Sequence, residues 1–180
     1  MKYIFIILLF FLLCCSHENS KVTNEVKPKA EKSKYGHLID KFETIDIDTF
    51  HVYSTYDYDG FKGIELEFDD VELFPKEILS ENFPENEIEI YACYRFNIDS
   101  SKIGLIARTP SMYAPTSIKL FIYDKKVDSI ISFIEVSETW GDAGESLEKE
   151  SWIFLKKNKL HFACFADRLY VLPCSIQSIH

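Results

Sequence analysis

Apolar and polar positions alternate with a period of two along most of the chain beyond residue 37. Phe50 and Val52 alternate with His51 and Tyr53, while Ile88, Ile90, Ala92, Tyr94, Phe96 and Ile98 line one face of a long run. Ile118, Leu120 and Ile122 form a third series, and Leu160, Phe162 and Cys164 a fourth. Such runs, rich in β-branched and aromatic residues and broken by Asp, Asn, Gly and Lys, are strand patterns. They predict about nine strands, over residues 47–57, 61–69, 86–98, 102–108, 117–123, 127–136, 151–156, 159–167 and 169–172. Beyond the N-terminal signal segment the pattern offers at most one short helix, near Pro75 to Ser80, where proline opens and Lys, Glu, Ile and Leu follow. Short connections at residues 124–126 and around Asn158 imply antiparallel neighbours. The class is all-β, an antiparallel sandwich or a partly closed barrel. Residues 130–136 are apolar on both faces, as in a strand covered on both sides.

One turn is specific enough to predict pairing. A three-residue loop of Tyr58, Asp59 and Gly60 would set Phe50 opposite Phe68, Val52 opposite Leu66 and Ser54 opposite Ile64, keeping apolar residues on one face. It would also place Gly60 at the left-handed position that closes such a loop. The expectation is a hairpin with positive φ at Gly60 and Asp57 opposite Phe61.

The N-terminus changes the picture by giving the chain an address. Met1 and Lys2 precede an unbroken apolar run over residues 3–13, followed by Cys14, Cys15 and Ser16. The run is shorter than the roughly 20 residues that span a bilayer, so it is the apolar region of a secretory signal. Its end, Leu12, Leu13, Cys14, Cys15, resembles the lipobox of bacterial lipoproteins, with Cys14 in place of the usual small residue. The resemblance implies that residues 1–14 are a signal peptide and that Cys15 becomes the acylated N-terminus, carrying chains such as palmitate. Cleavage before Cys14 is the alternative. Three acyl chains at about 0.8 kcal/mol per buried methylene would hold a protein on a membrane permanently. Ser16 after the cysteine resembles the enterobacterial pattern for outer-membrane sorting, which implies a lipid-anchored place in the cell envelope. Residues 16–36 carry Lys21, Lys27, Lys29, Lys32 and Lys34 against Glu18, Glu25 and Glu31, with scarcely a large apolar side chain. A flexible tether of about 20 residues spans roughly 25 Å, and residues 37–180 would form the single domain behind it.

Composition supports one folded core: of the 180 residues, 47% are hydrophobic and 15% aromatic, with 6 Gly and 6 Pro. Charge divides the domain. Residues 37–99 hold 17 Asp and Glu against 4 Lys and Arg, whereas residues 100–180 hold 9 against 10. This disfavours nucleic acid and anionic surfaces as partners and favours a basic protein, a cationic ligand or a divalent metal. Many of the acids alternate with apolar residues, as at Glu65, Leu66 and Glu67, which is the pattern of a wet sheet face.

Candidate chemistry is sparse. Thr55 to Gly60 resembles part of a calcium loop, but the first and twelfth places hold Thr55 and Leu66 where acids are required. Asp142, Glu145 and neighbouring Glu135, Glu138, Glu148 and Glu150 offer oxygen ligands, yet they also suit a glycine-rich turn between strands. We assign neither metal nor cofactor. No G-x-S-x-G elbow, P-loop or H-E-x-x-H spacing is present, and His37, His51, His161 and His180 are scattered. Cys93, Cys164 and Cys174 lack the C-x-x-C spacing of zinc or redox sites, and either one disulfide or three packed thiols is compatible with export. The remaining candidates are aromatic: Tyr53, Tyr56 and Tyr58 crowd one loop, and Tyr113 lies in a Pro-flanked one. Exposed rings beside carboxylates stack on sugars and accept their hydroxyl hydrogen bonds. Rings buried at a sheet edge with the hydroxyl wet are the other reading.

These observations favour a non-enzymatic, membrane-anchored domain that binds a protein, a glycan or another envelope component. An envelope glycan-active enzyme using dispersed carboxylates is the alternative, and would need two acids about 5–10 Å apart in a deep cleft. A third, narrower alternative, resting on charge alone, is an immunity-type protein whose acidic half neutralises a basic toxin.

Overall fold

Alternation becomes a curled sheet because the apolar phases of distant strands need each other. The computed structural model describes residues 33–78, 88–111, 114–142, 145–168 and 178–179. Cys15, the signal segment, most of the tether, Tyr113, the expected strand at 169–172, Cys174 and His180 lie outside the described residues. The strands are β1 (Glu43–Thr44), β2 (Thr49–Val52), β3 (Ile64–Glu65), β4 (Tyr91–Asn97), β5 (Lys102–Thr109), β6 (Ser117–Asp124), β7 (Ser129–Asp142), β8 (Glu145–Lys156), β9 (Lys159–Arg168) and β10 (Ser178–Ile179). All join one sheet in the order β1-β4-β5-β6-β7-β8-β9-β10, with β3 added on β4 and β2 on β8.

The protein is mostly β, and the sheet forms a half-barrel, the partly closed alternative of the two expected. Two register shifts between β6 and β7 coil the sheet there, since a bulge increases local twist. One edge of β8 is shared: Glu145–Lys149 pairs with β7 and Ser151–Phe154 with β2. Phe96, Ile106, Ile118, Leu120 and Ile122 from the middle strands therefore meet Val52, Ile153, Leu160 and Phe162 from the far strands in one concave core. The other face of β4, β5 and β6 presents Ala92, Leu105, Ala107, Phe121 and Tyr123. It is covered by α1 (Gly36–Asp40), α2 (Phe68–Val71) and a single 3-10 turn (Lys76–Ile78), which contribute Leu38, Ile39, Val71 and Ile78. Burial on both sides explains why β5 and β6 read as nearly continuous apolar runs. Asp70 of α2 is buried and takes the Lys41 ammonium at 2.5 Å, so one ion pair fastens the two helices together. That hydrogen bond also holds the lysine above its ordinary pKa.

Several local expectations are corrected. The short helix expected near Pro75 forms as the 3-10 turn, but two further α-helices stand beside it, and β1 runs parallel to β4 in a sheet whose other described pairs are antiparallel. The hairpin between residues 50 and 68 does not form. Phe50 stands opposite Ile153 and Val52 opposite Ser151, while Ile64 pairs with Ala92. An isolated two-stranded ribbon is marginal in water, and joining β8 and β4 instead gives these residues a core. Phe68, expected opposite Phe50, is 64% exposed. The turn itself survives: Gly60 has φ +74° and Tyr58 φ +58°, and Phe61 N–H donates to the Tyr58 carbonyl at 2.9 Å. Tyr35, within the expected tether, is buried, and its hydroxyl donates to the Leu73 carbonyl at 3.1 Å. The acids at 65, 67 and 89 are exposed, as the wet-face pattern requires.

Candidate functional site: an aromatic groove on the outer face of the sheet

Because Phe50 and Val52 enter the core, His51 projects from the opposite face of the sheet, while Tyr53, just past the end of β2, packs edge to face on Phe61 and also lines the groove described below. On β8 the same logic sends Glu148, Glu150 and Trp152 outward, and on β9 it sends His161, Phe165 and Asp167. Register then assembles them: His51 stands opposite Trp152, Phe165 opposite Glu150, and Asp167 opposite Glu148. The His51 ring stacks on Trp152 at 4.0 Å and 13°, and Trp152 meets Phe165 edge to face at 5.4 Å. His51 Nε2 lies 2.8 Å from Glu150 Oε2. An ionised carboxylate only accepts, so this bond places a proton on Nε2.

Beside this face Tyr53, Tyr56, Asp57, Thr139, Glu148, Glu150, Phe165 and Asp167 line a groove of about 490 Å³. Tyr56 is 59% and Phe165 58% exposed. Asp57, Glu148 and Asp167 are also exposed. Lys149 reaches the groove wall, but its ammonium is 3.1 Å from Glu135 Oε1. The arrangement can stack on a flat or cationic group and offer carboxylates to it.

Of the tyrosines singled out by sequence, Tyr53 and Tyr56 reach this groove and Tyr58 does not. The Tyr58 ring lies on the Arg108 guanidinium at 3.9 Å, with Tyr91 on the other side at 3.8 Å. Arg108 is buried and donates to the carbonyls of Phe61, Lys62 and Pro115 at 3.0, 2.9 and 3.2 Å. Tyr58 is thus part of a clamp that holds the 58–63 loop to the sheet. Cys93 beneath that loop is a buried free thiol that donates to the Phe61 carbonyl, and burial pushes its pKa up to about 11. Cys164 is half-buried opposite Ser151. Sequence reasoning missed Trp152 and Phe165 as site residues. A signal was present for Phe165, a large aromatic in the outward phase of a strand whose inward phase of Leu160, Phe162 and Cys164 is apolar, but not for Trp152, because the inward phase of β8 includes Lys149 and Ser151.

A second polar cluster lies at Ser111, Ser117, Lys119, Glu135, Glu138 and Lys149. Lys119 Nζ donates to Ser117 Oγ at 2.6 Å and to Thr109 Oγ1 at 2.9 Å, and Ser117 Oγ donates to Glu135 at 3.0 Å. Ser111 donates to Glu138. Burial pushes Lys119 below the usual lysine range and Glu138 above the usual glutamate range. Burial would raise Glu135 as well, but Lys119 and Lys149 outweigh it and hold it low. These are the atoms of a serine–lysine pair, yet Ser117 is 0% exposed, so no substrate reaches its hydroxyl. The network ties β5, β6, β7 and β8 together. Among the described residues, no three His, Cys, Asp or Glu side chains converge as metal ligands would.

No protein-family model, curated protein or solved structure matches this chain.

Proposed function

We propose that the protein is a lipid-anchored binding module of the bacterial cell envelope, tethered through Cys15. Its β domain takes a protein, glycan or other envelope component on the outer face of β2, β8 and β9 without transforming it. The observation that carries this reading is the exposure of Tyr56 and Phe165 on the rim of one groove. Covering a large apolar side chain is worth about 1.5–3 kcal/mol, which a partner realises and the isolated domain does not. The groove's acids favour binding over hydrolysis. A catalytic acid needs a desolvated site to hold its proton, whereas Asp57, Glu148 and Asp167 face water and Glu150 is bonded to His51.

Two measurements test the proposal. Metabolic acyl labelling of the wild type and of Cys15→Ala should mark only the first, and a soluble, unlabelled wild type overturns the anchor. Trp fluorescence and NMR footprinting with envelope glycan fragments and with basic peptides should show saturable changes at Tyr56, Trp152 and Phe165. Absence of change with every probe at millimolar concentration overturns the binding face.

A further inference from the structure

We infer that the groove's occupant is a basic, extended segment of a partner protein, whose lysine or arginine side chains lie between the rings of Tyr56 and Phe165 and the carboxylates of Glu148 and Asp167. This rests on the binding reading above and narrows it to one ligand chemistry. Charge complementarity is the argument. Asp57, Glu148 and Asp167 form no salt bridge among the described residues. Lys149, the one Lys or Arg on the groove wall among the described residues, is engaged by Glu135. A neutral sugar seated there would donate hydroxyl hydrogen bonds to these carboxylates but supply no counter-charge, whereas a cation supplies both, and charge-assisted hydrogen bonds are roughly twice as strong as neutral ones.

A guanidinium or ammonium answers both features of the groove at once. It pairs with the carboxylates, and it is attracted to ring faces within about 6 Å of their centroids. The protein already shows that packing internally, with Arg108 held between Tyr58 and Tyr91. The excess of 17 acids over 4 bases in residues 37–99 adds a field that steers a basic partner inward from a distance. Exposed aromatic anchors beside the groove, with the His51 and Trp152 stack continuing the face, fit a polypeptide segment better than an isolated amine.

The test uses the full chain in detergent and three fluorescent probes of equal length: an alternating Lys/Arg hexapeptide, a hexaglutamate and a neutral N-acetylglucosamine hexamer. The basic peptide should bind with a Kd that weakens at least about tenfold between 50 and 300 mM salt. The double variant Glu148→Gln/Asp167→Asn should weaken it about tenfold, and Phe165→Ala should weaken it while keeping the salt slope. The variant Glu65→Gln/Glu67→Gln removes two exposed acids elsewhere in the acidic half and should leave Kd within about twofold. Equal losses from the two double variants would mean attraction to net charge alone and overturn the inference. Binding of the neutral hexamer at Tyr56 and Phe165, without binding of the basic peptide, overturns the inference and leaves the binding module standing. No groove perturbation by any probe removes both.

Discussion

Arg108 is the most consequential single side chain that the sequence does not announce. It sits at the end of β5, 3% exposed, with three carbonyl acceptors, two flanking tyrosines and, among the described residues, no salt bridge. Replacing it with Met keeps much of the volume and removes the charge. Three charge-assisted hydrogen bonds at about 1.5 kcal/mol each are lost, together with two ring contacts of about 1 kcal/mol each. Relief of the guanidinium's desolvation, several kcal/mol, offsets part of this loss. Residual cost arises mainly at the buried Phe61 carbonyl, since Lys62 is exposed and its carbonyl can turn to water. Arg108→Met should therefore destabilise by about 3 kcal/mol, and Arg108→Lys by about 2, because an ammonium cannot reach three acceptors in a fork. Urea unfolding followed by Trp fluorescence measures this as a lower midpoint at unchanged slope. A second readout separates local from global loosening. Cys93 donates to the Phe61 carbonyl beneath the clamped loop, so its labelling by a thiol reagent should accelerate at least about tenfold in Arg108→Met under native conditions. A stability loss under about 1 kcal/mol with Cys93 still protected would refute the clamp.

Three further outcomes follow from the same geometry. Glu135 is held low by Lys119 and Lys149, so its stabilisation is present above the usual glutamate range and fades as pH falls through the depressed value. Glu138, held high by burial, runs oppositely and costs stability as pH rises through its raised value. Glu135→Gln should flatten the acid side of the stability profile and lower neutral-pH stability by about 2 kcal/mol, and profiles parallel to the wild type would contradict this. Gly104→Ala would place a Cβ within 2.5 Å of the buried Phe96 ring, so about 2 kcal/mol of destabilisation is expected, partly restored in a Gly104→Ala/Phe96→Leu double variant. Phe165→Ala, on an exposed ring, should lower the unfolding free energy by less than about 1 kcal/mol, and a larger loss would reveal a packing role for that ring.

The fold class was legible because alternation is a local property, written directly into residues 102–108, 117–123 and 159–167. Those segments became β5, β6 and β9 with shifts of one residue or so at their ends. Residues 61–69 were misread as strand because Ile64, Leu66 and Phe68 alternate. Only the first pair extends, and the chain then turns into α2, whose Val71 lies over the outer face of the sheet. Half of the groove was legible too: Tyr53 and Tyr56 were singled out, whereas Phe165 lay in the outward phase of the Leu160, Phe162 and Cys164 series and its neighbours across the sheet were set by register alone.

What the sequence determined by itself was therefore strand identity, face and the uneven spread of charge, because each depends on near neighbours or on simple counting. Tertiary structure alone decided which strands meet. β2 and β8 lie about a hundred positions apart, and their pairing is selected by the closing of a common core around Val52, Ile153 and Phe162, not by any turn between them. The same closure carries Tyr53 and Tyr56 to Phe165 and Glu148, and turns Tyr58 away onto Arg108. A site made by long-range register leaves no motif along the chain, because its spacing exists only across strands.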